Sequence, residues 1–536
     1  MKAAPVHQLD EQAAEALVRR IKSRETTEQD GELVGDMIKT LHTLSQQREQ
    51  SSASIKRLLG MIFGHRTEKT ATVLGQKAVP AGPVAKPEKS AKRKGHGRLG
   101  AKACTGAERV EVTHQTLRPG MSCPACLKGL IRDMQRPSVV LRFCAQPMIK
   151  ATAYVLEQLR CSLCQKIFTA ALPPEAGTQK YDDNVAPSLA VMRYGFGLPG
   201  NRAADLQRMV GVPLPAGTQW DLIAACYEQI GPIIDEEMLK QAAEGEHMFN
   251  DDTTGRVLEL EKQIKQGTRT DPPDQNHGRT GVFTTGVVSI NQGRRIVRYK
   301  TGDRHAGENL QVVLDKRPDG MDPPMQMSDG ASRNEPESPT VKTNCNAHAR
   351  REFVEIADSF PAECEYVLET FKTAYKNDAQ AAEQSMTPVQ RLAYHQEHSK
   401  IPMDQMKLWM EQNLDNHLVE PNSGLGKAFK YILKRWENLT AFLRIAGAPL
   451  DNNICERALK TPIRHRDNSL FYKTINGARI GDFFMGVIQT CRHCGANPFD
   501  YLSTLRQYSK HLASNPAAWM PWNYKDAAAA FNQAGP

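Results

Sequence analysis

The sequence predicts a multidomain protein of the mixed α+β class, and three observations lead to this prediction. The chain has 536 residues, which exceeds one ordinary domain and corresponds to roughly three or four. Segments rich in β-branched residues lie in its second half, between segments with helical periodicity. Hydrophobic residues make up 40% of the chain and charged residues 24%, which allows a sizeable core. We therefore expect an α/β core surrounded by several helical parts.

Residues 1–70 are predicted to form a helical segment with a coiled-coil stripe. Apolar side chains recur there at steps of three and four residues, with a break at Arg48 and Ser51. The members of the stripe are Val34, Met37, Leu41, Leu44, Ile55, Leu58 and Ile62. The stripe fits a helical pair, within one chain or between two copies in a homo-oligomer. It fits equally a single amphipathic helix that packs on its own chain.

Residues 71–115 are predicted to be a disordered basic linker. Its centre carries many cations against the single acid Glu88, and these are Lys86, Lys89, Lys92, Arg93, Lys94, Arg98 and Lys102. Positive charge on a segment with Pro and Gly can neutralise nucleic-acid phosphates without sequence preference. The alternative is a solvated tether that binds nothing.

Residues 116–175 are predicted to be a small zinc-binding module. Two Cys-x-x-Cys pairs lie in this range, and their members are Cys123, Cys126, Cys161 and Cys164. Four thiolates in two such pairs can close a tetrahedral structural Zn²⁺ site, although the loop between the pairs is longer than the commonest spacing. A redox pair is the alternative. Cys491 and Cys494 also have this spacing but have no second pair nearby, so we interpret them as structural.

Three further segments are predicted to be helical or to form a tail. Residues 180–245 have the pattern of helix, short turn and helix, which fits a DNA-binding helix-turn-helix but also many ordinary helical pairs. Residues 350–445 are expected to form a long helical insertion. Residues 513–536 are expected to be a C-terminal tail.

The α/β core is predicted to comprise residues 246–349 and 446–512. Asp251 lies in a short polar cluster between apolar residues, and Asp329 follows a stretch in which apolar residues alternate. Both are interpreted as acids at strand ends. Between them, residues 281–290 and 295–299 predict two strands joined by a turn, and residues 307–314 predict a helix. Glu456 begins a later helix among cationic residues. This order matches an RNase H-like core, in which acids from neighbouring strands and a later helix converge.

Three converging carboxylates can hold two hard divalent cations through oxygen ligands, and such a pair promotes phosphoryl transfer. Three alternatives stay open at this point. Asp252 competes with Asp251 as the first acid, because a slip of one residue moves a side chain to the other face of a strand. Asp329 with Gly330 could be a simple turn, and Glu456 could be the capping-box partner of Asn453.

From about residue 58 to residue 502 the chain resembles transposases of the IS66 insertion-sequence family. The motifs that carry the resemblance are residues 58–69, Asn-Cys-Asn-Ala-His-Ala-Arg-Arg-Glu-Phe at 344–353, Leu-Asp-Asn-Asn-Ile-Cys-Glu-Arg-Ala-Leu at 450–459, and residues 497–502. The chain departs from the family pattern at Asn346, where Trp is usual, and at residues 328–332, which lack the usual aromatic residue after Asp-Gly. Residues 333–342 are also more polar than the family pattern.

The resemblance implies a transposase in which Asp251, Asp329 and Glu456 form a DDE triad with two Mg²⁺ or Mn²⁺ ions. It also implies a structural zinc module. The expected partners are DNA, as element ends and target, together with accessory proteins of the same element. Residues expected to contact DNA are His348, Arg350, Arg351, Arg457, Lys460, Arg464, Arg466, Lys473 and Arg479. For the first three, the alternative is a helix start whose basic residues face solvent, and Cys345 is interpreted as a small buried residue rather than a nucleophile.

Two other function classes remain open, a non-catalytic zinc-containing DNA-binding protein derived from a transposase and an RNase H-like nuclease. The net charge of +9 fits a nucleic-acid partner. The sequence has no run of about twenty apolar residues and no signal-peptide pattern, so we expect no membrane insertion or export. Twelve cysteines, four of them with metal-ligand spacing, fit a reducing compartment. The expected location is the bacterial cytoplasm, in association with the nucleoid.

Overall fold

A computed structural model describes residues 173–268 and 280–534, together with short stretches of residues 19–35 and 119–171. The predicted coiled-coil stripe and basic linker therefore lie almost entirely outside the described residues. The chain divides into two compact units. One comprises residues 1–78, 187–198 and 224–536, and the other comprises residues 79–186 and 199–223.

The smaller unit contains a short antiparallel strand pair and helical residues. Strand β1 (Gln158–Arg160) pairs with β2 (Ile167–Thr169), with Leu159 opposite Phe168. Helix α2 (Gly200–Met209) lies in this unit, whereas α1 (Val185–Ala190) and α3 (Ala216–Ala243) include residues of both units. A π-helical turn, Val191–Gly195, follows α1 and belongs to the larger unit. Helices α2 and α3 occupy the positions predicted for a helix-turn-helix, whose DNA-binding role stays a prediction.

The larger unit is built on a mixed sheet of five strands within the described residues. In chain order these are β3 (His247–Thr254), β4 (Phe283–Asn291), β5 (Arg294–Gly302), β6 (Met325–Ser328) and β7 (Val341–Asn344). Their spatial order is β5-β4-β3-β6-β7. The first three strands are antiparallel, whereas β6 and β7 run parallel to β3. This confirms the predicted mixed α+β class, including the strand pair expected at 281–299.

Helices cover both faces of this sheet. The elements that precede the helical insertion are α3, α4 (Leu258–Gln266) and α5 (Ala306–Leu314). On one face, the Ser289 hydroxyl donates to the Ala242 carbonyl of α3 at 2.7 Å. Asn309 of α5 donates to the Thr285 hydroxyl at 2.7 Å on the same face. The opposite face of the sheet is covered by helices that follow the helical insertion in the chain.

Residues 346–443 form the predicted helical insertion. Its helices are α6 (Asn346–Ile356), α7 (Pro361–Glu383), α8 (Pro388–His398), α9 (Lys400–Asp415), α10 (Gly424–Lys434) and α11 (Trp436–Leu439). They enclose a hydrophobic core around Phe353, Phe371 and Phe429, which are almost fully buried. The burial of three aromatic rings contributes several kcal/mol, of the order of 2 kcal/mol for each. The insertion is therefore a packed helical body with its own core.

The chain then returns to the sheet. Helices α12 (Asn453–Ser469) and α13 (Ile475–His493) cover the face opposite α5, and α14 (Pro498–Gln507) and α15 (Tyr524–Ala534) follow. The Tyr299 hydroxyl donates to the Ala458 carbonyl of α12 at 2.6 Å, and Thr490 of α13 accepts from the Val297 amide at 3.0 Å. Residues 513–534 are packed, since the Tyr501 hydroxyl donates to the carbonyl of buried Trp519.

None of the helices in the described part of the chain combines the length and the apolar character needed to cross a bilayer.

Candidate active site

Asp251 lies within strand β3, three residues before its end, and Asp329 directly follows the neighbouring strand β6. Strands β3 and β6 are parallel, with Phe249 opposite Met327. Each acid follows its member of this pair by two residues. Because side chains alternate along a strand with a period of two, both carboxylates project from the same face of the sheet. The topology thus brings together two acids that are far apart in sequence.

Glu456 reaches the same region from the first turn of α12. That helix is anchored at its start by Asn452, whose side-chain amide donates to the Asn250 carbonyl at 3.1 Å. One turn on, the Cys455 thiol donates to the Gly286 carbonyl at 3.3 Å. A Cβ atom at Gly286 would lie 2.9 Å from Leu459 Cδ2, so glycine at this position of β4 lets the helix approach the sheet closely.

The electrostatics of the site reflect this convergence. Burial, together with the negative charges of Asp329, Glu456 and Asp252, raises the pKa of Asp251 from 3.8 to about 7. A hydrogen bond from the Asp252 amide to Asp251 Oδ1, at 2.8 Å, acts in the opposite direction. Like charges held together in a partly desolvated place disfavour ionisation. We refer to Asp251, Asp329 and Glu456 as the carboxylate cluster.

Asp252 points to the other face of the sheet and is fully engaged there. One carboxylate oxygen accepts from the Thr285 hydroxyl at 2.6 Å, and the other accepts from the Ala306 amide at 3.0 Å. His305 Nδ1 lies 3.3 Å from this second oxygen. Asp252 therefore anchors the start of α5, where a negative charge is favourable. Of the two neighbouring acids, Asp251 is the one that faces Asp329 and Glu456.

Asp329 is oriented by neighbours that the sequence did not point to. Its Oδ1 accepts from the Ala331 amide at 2.8 Å and from the Asn334 side-chain amide at 2.6 Å. The backbone carbonyl of Asp329 accepts from the Tyr431 hydroxyl at 2.9 Å. Gly330 has a φ of 79°, a left-handed conformation that glycine adopts without strain. The turn considered from the sequence is therefore present after β6, and it holds the Asp329 carboxylate in place.

Glu456 does not form the capping box considered from the sequence. The residue that caps α12 is Asn452, and its side chain makes no capping hydrogen bond. Glu456 is consequently the fourth helical residue, one position beyond the capping-box partner. Its Oε1 atom is buried without a hydrogen-bond partner. Nδ1 of His348 lies 3.6 Å from this oxygen.

The cations around α12 fall into two groups. Arg457, Lys460 and Arg464 are exposed and are spaced by three and four residues, so they share one face of the helix, which we call the basic face. Arg466 is engaged within the protein instead, because its guanidinium donates to Thr253 Oγ1 at 3.1 Å and to Thr254 Oγ1 at 2.7 Å.

The other residues expected to contact DNA do not belong to the basic face. Lys473 is exposed in the connection between α12 and α13. Arg479 is exposed on α13, donates to Asn476 at 2.8 Å, and lies over the Tyr227 ring. Arg350 and Arg351 are partly buried on α6, and His348 lies in the first turn of the same helix.

The predictions about the cysteines differ in what the structure says of them. The four predicted zinc ligands, Cys123, Cys126, Cys161 and Cys164, lie outside the described residues. Cys491 is a buried free thiol, in agreement with its structural interpretation. Cys345 is also buried, and burial raises its pKa to about 12. A protonated, enclosed thiol is a poor nucleophile.

Comparison with known proteins adds a family match. A family model described as Transposase IS66 family matches residues 180–480, which is more than half of the chain and contains the whole carboxylate cluster.

Three relatives come from Sinorhizobium fredii (strain NBRC 101917 / NGR234). Uncharacterized protein y4hP is 25% identical over 446 residues, which are 78% of this chain and 76% of that protein. Uncharacterized protein y4qI is 27% identical over 63% of this chain and 61% of its own length. Uncharacterized protein y4jD is 29% identical over 35% of this chain and 37% of its own length.

Proposed function

The chain belongs to the IS66 transposase family, and we propose that it is a DNA transposase that cleaves and joins DNA strands by a DDE mechanism. The observation that carries this proposal is the convergence of three acids from two neighbouring strands and one helix, with the pKa of Asp251 raised to about 7. A carboxylate cluster of this kind serves phosphoryl transfer better than acyl transfer, because it supplies cation ligands and no activated nucleophile.

The strand arrangement supports an RNase H-like core. Three antiparallel strands are followed by two parallel ones in the order β5-β4-β3-β6-β7. An acid within β3 and an acid directly after β6 meet an acid from a helix on one face. The helical insertion enters between β7 and α12, that is, between the second and third acids. This placement leaves the sheet continuous, so the insertion does not interrupt the framework of the site.

The residues fit divalent cations. The cluster offers oxygen ligands, which Mg²⁺ and Mn²⁺ prefer. Burial raises the pKa of Asp251, and the negative charges of Asp329 and Glu456 add to this effect. A bound cation would favour the ionised carboxylates. Asp251, Asp329 and Glu456 would hold two such ions, which when bound supply charge neutralisation and activation of a water or 3′-hydroxyl nucleophile.

The protein residues have distinct roles in this proposal. Asp251 presents its carboxylate from the rigid central strand, while the Asp252 amide fixes one of its oxygens. Asn334 and the Ala331 amide hold the Asp329 carboxylate in one orientation. Restricting ligand rotation in this way lowers the cost of organising the site for reaction.

The basic face of α12 is proposed to bind the DNA backbone. Arg457 directly follows Glu456, and Lys460 and Arg464 continue the same exposed side of the helix. Phosphates bound along this side would run past the carboxylate cluster. Contacts of this kind position DNA without reading its sequence. Recognition of the element ends would then fall to other parts of the chain, such as the helix pair α2 and α3.

A structural zinc site is proposed for the two Cys-x-x-Cys pairs. An antiparallel bridge between Ser122 and Leu130 brackets the first pair in the chain. The antiparallel strands β1 and β2 bracket the second, since Arg160 pairs with Ile167. Short antiparallel pairings on both sides of a Cys-x-x-Cys sequence are typical of zinc knuckles. This arrangement supports a zinc module without showing the ion.

The function is tested by incubating the purified chain with labelled DNA that carries the ends of its insertion sequence, with Mg²⁺ or Mn²⁺. Joined products are expected, and Asp329→Asn or Glu456→Gln should abolish both cleavage and joining while DNA binding persists. Hydrolysis without joining would indicate a nuclease. Binding without any cleavage, unchanged by either substitution, would indicate a non-catalytic DNA-binding protein.

The zinc module is tested by metal analysis. Cys123→Ser and Cys161→Ser should each release about one zinc ion per chain, because three thiolates seldom retain a structural zinc. Cys491→Ser is the matched control and should keep the full zinc content. Equal loss from all three variants would contradict the assignment.

A further inference from the structure

Two buried polar atoms face each other near the start of α12 without hydrogen-bond partners. They are Nδ1 of His348 and Oε1 of Glu456, which lie 3.6 Å apart. This distance is too long for a hydrogen bond. Leaving a buried polar atom unpaired costs roughly 1–3 kcal/mol. Two unpaired atoms directed at each other indicate a site for a bound ion between them.

A third candidate ligand completes the cluster. The Cys345 thiol, His348 and Glu456 each offer one ligand atom, and these atoms all lie within 4.8 Å of one another. The sulfur of Cys345 also accepts a hydrogen bond from the Asn452 amide, at 3.2 Å. Backbone donors to sulfur are a common outer contact of metal-bound thiolates, because they stabilise negative charge on the sulfur.

We propose that Cys345, His348 and Glu456 bind one transition-metal ion of the Zn²⁺ class, at a site separate from the hard cations of the carboxylate cluster. Thiolate, imidazole and carboxylate together select Zn²⁺ or Co²⁺ and do not suit Mg²⁺. Ligand atoms around a tetrahedral ion with bonds of about 2.0–2.3 Å lie roughly 3.3–3.8 Å apart. The 3.6 Å between His348 Nδ1 and Glu456 Oε1 falls in this range.

Binding has a defined proton balance. The Cys345 thiol gives up its proton to solvent as the sulfur–metal bond forms. Three protein ligands leave a fourth position of the ion open.

The site would join the two ends of the helical insertion. Cys345 and His348 lie where the chain enters the insertion, and Glu456 lies just after the chain leaves it. An ion held by both ends would fix Oε1 of Glu456 and leave Oε2 for the carboxylate cluster. The ion would therefore set the position of the acid that comes from the helix.

The test is cobalt binding to the full chain after removal of metals. Thiolate-to-cobalt charge-transfer absorption and the number of tightly bound ions are measured without DNA, so the result does not depend on the proposed transposase activity. Cys345→Ser and His348→Ala should each lower the count by about one ion per chain and reduce the charge-transfer band. The Cys-x-x-Cys pairs are expected to bind cobalt as well, so the comparison is between variants.

Two controls keep the test decisive. Cys364→Ser removes another buried thiol of the insertion and should leave the ion count unchanged. His348→Cys supplies a different ligand at the same position and should restore binding with a stronger charge-transfer band. If the folded Cys345→Ser and His348→Ala variants bind as many ions as the unaltered chain, the site does not exist. The same conclusion follows if His348→Cys fails to restore binding.

Discussion

Replacement of Asp251 by Asn should stabilise the metal-free protein while it abolishes strand transfer. The Asp251 carboxylate is largely buried beside Asp329 and Glu456, and its pKa is raised from 3.8 to about 7. A pKa raised by this amount corresponds to roughly 4 kcal/mol of folding free energy lost when the group ionises. This figure is an upper bound for the gain, because the Asn amide also needs partners. We expect a gain of about 1–3 kcal/mol at neutral pH.

The gain should depend on pH with a definite sign. Below about pH 4 the Asp251 carboxyl is protonated in both the folded and the unfolded chain, so the variant and the unaltered protein should be almost equally stable. Between about pH 4 and pH 7 the unfolded chain releases this proton and the folded protein retains it. Stability of the unaltered protein therefore falls across this window relative to the variant, and the difference is constant above it.

Calorimetric unfolding in the presence of a chelator measures this difference. For a cooperative unit of 150–250 residues, 1 kcal/mol corresponds to a shift of roughly 2–4 °C in the unfolding midpoint. Addition of Mg²⁺ or Mn²⁺ should raise the midpoint of the unaltered protein and leave Asp251→Asn almost unchanged, because ligands that bind the folded state stabilise it by mass action.

Asp252→Asn is the matched control, since it changes the neighbouring acid in the same strand. Asp252 accepts hydrogen bonds from Thr285 and from the Ala306 amide at the start of α5. Removing its charge should destabilise the protein by about 1–2 kcal/mol. The assignment of the two acids to opposite roles would be refuted if Asp251→Asn destabilised the metal-free protein at neutral pH. It would also be refuted if both substitutions changed the stability in the same direction.

Two further predictions concern α12. Gly286→Val would place a side chain against Leu459, whose Cδ2 atom lies 2.9 Å from the position of a Cβ; we expect a loss of about 1–3 kcal/mol in chemical denaturation and reduced strand transfer, because the helix must move away from the sheet. The double substitution Arg457→Ala with Lys460→Ala should weaken binding to DNA of any sequence and lower the slope of log affinity against log salt by about two. A changed sequence preference with an unchanged salt slope would argue against backbone contacts.

The sequence predicted the parts of the site that depend on local pattern. The apolar residues near Asp251 and Asp329 predict strand ends. Asp329 directly follows β6 as predicted, whereas Asp251 lies within β3, three residues before its end. The choice between Asp251 and Asp252 did not follow from the pattern, because either residue can face the site if the strand register slips by one. The hydrogen bond from Thr285 to Asp252 settles the side-chain direction, and it depends on pairing between β3 and β4.

Other features of the site depend on contacts between distant segments and left no mark in the local sequence. Asn334 orients Asp329 from a polar segment that differs from the family pattern. Nδ1 of His348 lies 3.6 Å from Glu456, a proximity that the sequence does not predict, and its contact with DNA stays a prediction. That proximity arises because α6 and α12 begin next to each other, although the whole insertion separates them in the chain.

The two ends of the helical insertion, at Asn346 and at Leu450 to Asn452, lie next to each other, and we call this junction the neck. The neck explains how a long insertion is tolerated between the second and third acids. At the entrance, the Asn346 amide and side chain both donate to the Leu450 carbonyl, at 3.0 and 3.1 Å. At the exit, the Asn452 amide donates to Cys345, and its side chain donates to the Asn250 carbonyl beside Asp251. Asn346 closes the neck with these hydrogen bonds. Because these contacts fix α12 to the sheet directly, the position of Glu456 does not depend on the helices beyond the neck.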